Sequence, residues 1–153
     1  MKVLELNKKK IYEYQQNREP YLMIDHATKV VPGKSADGYK DFKSDEWFFK
    51  VHWKDDPNVP GMLQIEALVQ MSALSILSLP GNKGKVVYLT NANNLKFLKK
   101  ITPNKRLFIQ TTIVRFNRGI AACEGVGLIE KQIACKAEFN LILPEEIKKY
   151  KVK

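Results

Sequence analysis

A chain of 153 residues, 44% hydrophobic and 27% charged, has material for one buried core and the balance of a soluble globular domain rather than a disordered tail. Its 26 Lys and Arg against 16 Asp and Glu give a formal charge of +10, which favours an acidic partner or surface without naming one. The two cysteines, Cys123 and Cys135, form no CxxC pair and have no matching ligand histidines, which argues against structural zinc and for two small core residues in a reducing compartment.

In chain order, MKVLELNKKK lacks the long apolar run and small-residue cleavage site of a signal peptide. Residues 1–20 are polar, with a short helix anchored by Ile11 and Tyr14 that ends before Pro20. Tyr21 to Val31 is predicted as a strand stopped by Pro32-Gly33. A shorter strand follows from Ser35 to Phe42, with Gly38 as its bulge or weak point. Asp45 to Phe49 is predicted as a helical turn whose aromatics need burial.

Met62 to Leu79 is the longest apolar stretch, opened by Pro60-Gly61 and closed by Pro80-Gly81. It is apolar nearly all round, so it should be enclosed by protein. Gln64, Glu66, Gln70 and three serines argue against a membrane span.

After Gly84 the pattern turns to strands. Residues 85–89 and 93–98 read as one long bulged strand. Residues 106–116 form another, Asn117-Arg118-Gly119 a turn, and residues 120–129 the next strand. In the last strand Ile133, Cys135, Ala137, Phe139 and Leu141 alternate with polar residues, as on a half-buried sheet. The expectation is an α+β fold, one domain over residues 1–153 with its core at about 17–141. Five or six antiparallel strands curl around one buried helix, and Lys148–Lys153 is a solvated tail.

Glu66 is the most informative residue. A carboxylate buried without a partner raises its pKa and becomes a proton donor, although a place at the helix edge beside solvent or a lysine is an equal reading. His52 alone is an ordinary loop histidine. Beside Gly61, whose position at a helix start offers free N–H groups, the trio suits proton abstraction next to a carbonyl. Gln70 lies one turn beyond Glu66 and can orient it, or bond backbone instead.

Phe48 to His52, followed by Pro57-Asn58-Val59-Pro60-Gly61-Met62-Leu63-Gln64-Ile65-Glu66-Ala67-Leu68-Val69-Gln70, resembles the β-hydroxyacyl-(acyl carrier protein) dehydratases. The spacing from His52 to Glu66 matches theirs. Arg18 to Asp25, Lys96-Phe97 with Pro103, Arg118-Gly119-Ile120 and Ala137-Glu138-Phe139 extend the likeness across about residues 17–141.

The resemblance implies a hot-dog fold and a homodimer in which His52 of one subunit faces Glu66 of the other; trimers of such dimers are common in the family. It implies that His52 takes the C2 proton of a 3-hydroxyacyl thioester, Glu66 helps the hydroxyl leave, and the Gly61 N–H holds the thioester oxygen. The Asn58 carbonyl would fix the His52 tautomer. Phe48, Phe49 and Trp53 would line the acyl tunnel, and no cofactor or metal is implied. Glutamate at position 66 points to the branch that dehydrates without isomerising.

The sequence departs from the family pattern at Trp53-Lys54-Asp55, where Phe, Pro and Gly are usual, and at Asn17, where histidine is common. A specialised substrate, short, polar or aromatic, is the expectation.

Lys96, Lys99 and Lys100, with Lys105 and Arg106, would receive an acidic acyl carrier protein bearing the substrate on phosphopantetheine, unless they are simply a solvated face. No nucleic-acid motif is present, no membrane partner is indicated, and the expected location is the cytoplasm. A hot-dog thioesterase and a non-catalytic acyl-binding or partner subunit are the alternatives.

Overall fold

The computed structural model describes residues 2–151. Its elements run β1 (Leu4–Leu6), α1 (Lys8–Tyr14), β2 (His26–Val31), β3 (Ser35–Phe42), α2 (Trp47–Val51), α3 (Gly61–Leu77), β4 (Tyr88–Phe97), β5 (Lys105–Asn117), β6 (Ile120–Ile129), β7 (Gln132–Ile142) and α4 (Pro144–Ile147). The strands form one antiparallel sheet in the order β1-β2-β3-β5-β6-β7-β4.

The sheet curls around α3, the expected α+β arrangement. Every helix residue from Ala67 to Leu77 is buried, including Gln70, Ser72 and Ser75. That enclosure explains why the segment is apolar on all sides. The helix stops two residues sooner than expected, because Pro80 disfavours helical geometry at Leu79. It has 17 residues, and no described helix is long and apolar enough to cross a membrane.

Seven strands replace the expected five or six. The extra one is β1, three residues paired through Leu4↔Val30 and Leu6↔Ala27, too short to carry a readable pattern. The strand expected from Tyr21 begins only at His26. Leu22, Met23 and Ile24 are buried one after another, which an alternating strand on a half-wet sheet cannot do. The backbone is held instead at Met23 and Tyr21 by Gln70, whose Oε1 accepts from Met23 N–H at 2.7 Å and whose Nε2 donates to Tyr21 O at 3.0 Å.

The bulge expected at Gly38 lies across from it. Ala27 pairs with Gly38 and Lys29 with Asp37, so Thr28 is the extra residue. Gly38 is still required: a Cβ there would stand 2.0 Å from His26 O and 2.6 Å from Met71 Cε. A second irregularity corrects the last strand. Gly127 pairs with Cys135 but Leu128 with Ile133, so Ala134 is extra and Ile133 flips to the outer, exposed face. Ala134 O then accepts from both Leu98 N–H and Lys99 N–H, fixing the chain just after β4. The bulged strand expected from residue 85 starts at Tyr88, with irregularities after Leu89 and Asn93.

Cys123 and Cys135 are free and buried. The lysine-rich end is partly ordered: α4 begins at Pro144, and Lys148–Tyr150 form a 3₁₀ turn rather than an open tail. Residues 152 and 153 lie outside the described residues.

Candidate active site

His52 is positioned by α2. Phe48 and Phe49 are buried in the core, Phe48 edge-to-face with Phe42 at 5.9 Å, so the short helix is nailed to the sheet. Lys40, itself buried, holds the helix start by donating to Glu46 at 2.8 Å. His52 follows as the C-cap, its N–H donating to Phe48 O at 2.9 Å. Its Nδ1 lies 3.1 Å from Asn58 O, a bond that places the ring proton on Nδ1 and leaves Nε2 as a base.

The loop between His52 and α3 lacks the family's Pro and Gly but is held in other ways. Asp56 N–H donates to Trp53 O, Asn58 Nδ2 donates to Asp56 O at 2.7 Å, and Lys100 Nζ reaches both Asp56 oxygens at 2.8 Å. Val59 N–H donates to Ile101 O at 2.9 Å. Together these set the position of Asn58, and through it the imidazole.

Glu66 is half-buried on the first turns of α3. Burial pushes its carboxyl above the ordinary carboxylate range, and the bond from Gln70 Nε2 at 2.9 Å pulls in the other direction. Gln70 is buried and serves both roles considered for it, orienting Glu66 and bonding backbone at Tyr21 and Met23. Tyr21 was not legible as a site residue, because its segment read as a strand. Its phenol is pushed up by burial and then by the Glu66 charge, which places it in the same neighbourhood.

Gly61 is the first residue of α3, so its N–H has no partner within the helix. A Cβ at this position would come within 2.9 Å of the Phe97 ring, so glycine lets β4 close against the helix start. The two elements border a groove of about 390 Å³ lined by Asn58, Gly61, Gln64, Phe97, Lys99 and Lys100 among others. Lys96 is placed elsewhere, in a separate groove with Asn94, Gln110 and Lys136.

His52 with Asn58 and Glu66 with Gln70 are two separate units, and among the described residues no hydrogen bond joins His52 to Glu66. Phe48 and Phe49 belong to the core of the chain itself. Trp53 is 62% exposed, its ring 5.5 Å from that of His52. Met62, one turn before Glu66, is 63% exposed, and β4 is an edge strand showing Tyr88, Leu89 and Phe97 to solvent. An open acid, an exposed apolar helix start and a long bare edge lie together on this side of the molecule.

A FabA-like domain model matches residues 16–138, most of the chain and both units of the site. The chain belongs to the FabA-like family. This FabA-like protein is 33% identical over 141 residues to the 3-hydroxyacyl-[acyl-carrier-protein] dehydratase FabZ of Bacillus licheniformis, covering 92% of this chain and 98% of that one. It is 37% identical over 145 residues to the FabZ of Clostridium botulinum (strain Kyoto / Type A2), covering 93% and 97%. The dehydratase heterocomplex ApeI:P from Xenorhabdus doucetiae superposes with a TM-score of 0.74 at 14% identity, over 91% of this chain and 95% of that one. The fold is therefore the hot-dog fold, and the family is the one the sequence resembled.

Proposed function

We propose that this FabA-like chain is a hydro-lyase of fatty acid synthesis. It converts a 3-hydroxyacyl thioester, carried on acyl carrier protein, to the trans-2-enoyl thioester and water. The observation that carries the reading, in a member of this family, is Glu66: a half-buried carboxyl raised by desolvation, oriented by Gln70 and open on one side. Such a group is protonated more readily than a surface glutamate and suits donation to a leaving hydroxyl.

His52 Nε2 removes the C2 proton, Nδ1–H remaining on the Asn58 carbonyl. The Gly61 N–H, at the positive end of α3, receives the thioester oxygen as enolate character develops. Glu66 delivers its proton to the C3 oxygen, the C–O bond breaks, and water leaves. The proton taken by His52 returns to Glu66 through solvent, closing the cycle without a cofactor.

The site is completed by a second subunit, whose His52 faces this Glu66. The ten-residue edge strand β4 and the exposed Met62 and Phe97 support that reading, since a long bare edge with apolar side chains is a surface for strand pairing. Trp53, exposed beside His52, belongs to the wall around the acyl chain, with Phe48 and Phe49 behind it in the core. Lys99 and Lys100, beside the helix-start groove, receive the acidic carrier, and Lys96 adds to the same field. The protein works in the cytoplasm as a homodimer or an assembly of dimers.

A 3-hydroxyacyl thioester assay tests the activity. Formation of a conjugated enoyl thioester without release of thiol is the expected outcome. Free thiol would instead indicate a thioesterase, and neither product a binding subunit.

A further inference from the structure

We propose that Tyr21 contacts substrate in the same site, its hydroxyl donating a hydrogen bond to the C3 oxygen that leaves as water. The inference rests on the dehydratase reading above and adds to it a residue that fixes the reacting hydroxyl.

The backbone geometry places Tyr21 with Glu66. One buried amide, that of Gln70, donates to Glu66 Oε1 at 2.9 Å and to Tyr21 O at 3.0 Å, and accepts from Met23 N–H at 2.7 Å. Met23 is fully buried, so residues 21–23 cannot shift relative to the carboxyl without leaving a buried N–H unpaired. Tyr21 N–H is tied to Arg18 O at 2.9 Å, which holds the other side of the residue.

The side chain is free while its backbone is fixed. Leu22, Met23 and Ile24 turn inward, but Tyr21 stays 48% exposed. Among the described residues its hydroxyl makes no hydrogen bond, whereas the hydroxyl of Tyr12 is engaged by Glu19. The phenol still lies close enough to Glu66 for that charge to raise it, after burial. On α3 here Met62 is exposed and Glu66, one turn on, is half-buried. Tyr21 thus adds a neutral donor next to the acid.

The chemistry follows from the two groups together. Glu66 transfers its proton to the departing oxygen, while Tyr21 keeps its own and only donates a hydrogen bond. That bond strengthens as negative charge grows on the oxygen, so it favours the transition state over the bound substrate. It also orients the C3 hydroxyl toward Glu66 before reaction.

The test uses Tyr21→Phe in the full-length protein. The expected result is a loss in kcat of about tenfold with KM changed by no more than about threefold, at an unaltered melting temperature. A binding measurement separates contact from packing. In a His52→Ala background, which does not turn over, the protein should prefer a 3-hydroxyacyl thioester to the same thioester without the hydroxyl, and Tyr21→Phe should abolish that preference. Unchanged kcat in Tyr21→Phe, or an undiminished preference, overturns the role of Tyr21 while inactivity of Glu66→Gln leaves the dehydratase site standing. Full activity of Glu66→Gln would overturn both.

Discussion

Gln70 donates to Glu66 at 2.9 Å across one turn of α3, and this bond alone opposes the effect of burial on the carboxyl. In Gln70→Ala the opposing contribution is lost, so the Glu66 pKa rises further. The alkaline limb of the kcat/KM profile, where the acid loses its proton, should move to higher pH. The same change leaves the buried Met23 N–H without its acceptor, which costs about 1–3 kcal/mol and should appear as a lower melting temperature.

Glu66 also predicts a pH dependence of stability. Its carboxyl binds a proton more tightly in the folded chain than in the unfolded one. The folded state therefore holds more protons between the two pKa values, and stability falls as pH rises through that interval. Glu66→Gln removes this effect. The variant should melt higher than wild type above the interval and show no such gain below it, as thermal melts at acid and neutral pH would reveal.

Gly61 brings α3 and Phe97 together. Gly61→Ala places a methyl group 2.9 Å from the ring and should destabilise by about 1–2 kcal/mol while displacing the N–H proposed to bind the thioester oxygen. Truncating the ring relieves the clash. A double-mutant cycle with Phe97→Ala should therefore give a combined loss smaller than the sum of the two, by chemical denaturation.

The lysines near the groove should act on the carrier and not on the chemistry. Lys99 donates to Gln132 at 3.0 Å, whereas Lys100 is already paired with Asp56. Lys99→Glu should raise KM for carrier-bound substrate by about 3–10-fold, an effect that shrinks in high salt. KM for a small thioester analogue should stay the same. Lys96→Glu should do less, because Lys96 lines a different groove.

Much of this was legible in the sequence because it depended on local signals. The all-round apolar helix between Pro60 and Pro80, the turn at Arg118-Gly119 and the strands from Lys105 to Ile142 stood out by pattern alone. Glu66 stood out as a charge in an apolar run. What escaped depended on distant partners. Tyr21 to Asp25 has strand composition, but three successive buried residues and the Gln70 clamp make it irregular, and that clamp spans 47 positions to Met23. The exposure of Ile133 follows from one extra residue, Ala134, which alternation of residue types cannot reveal. The His52 loop lacks the family's turn-forming residues and is held through Asp56, Lys100 and Ile101, contacts invisible until the chain is folded.

The central claim, a site shared between subunits, is tested most directly by mixing two inactive variants. His52→Ala and Glu66→Gln should each lack dehydratase activity alone. After unfolding and refolding together in equal amounts, about half of the dimers combine one of each, and each of those has one intact His52–Glu66 pair, so activity should return to about a quarter of wild type. Mixed dimers that form but stay inactive would contradict the shared site and place His52 and Glu66 in catalysis within one chain or not at all.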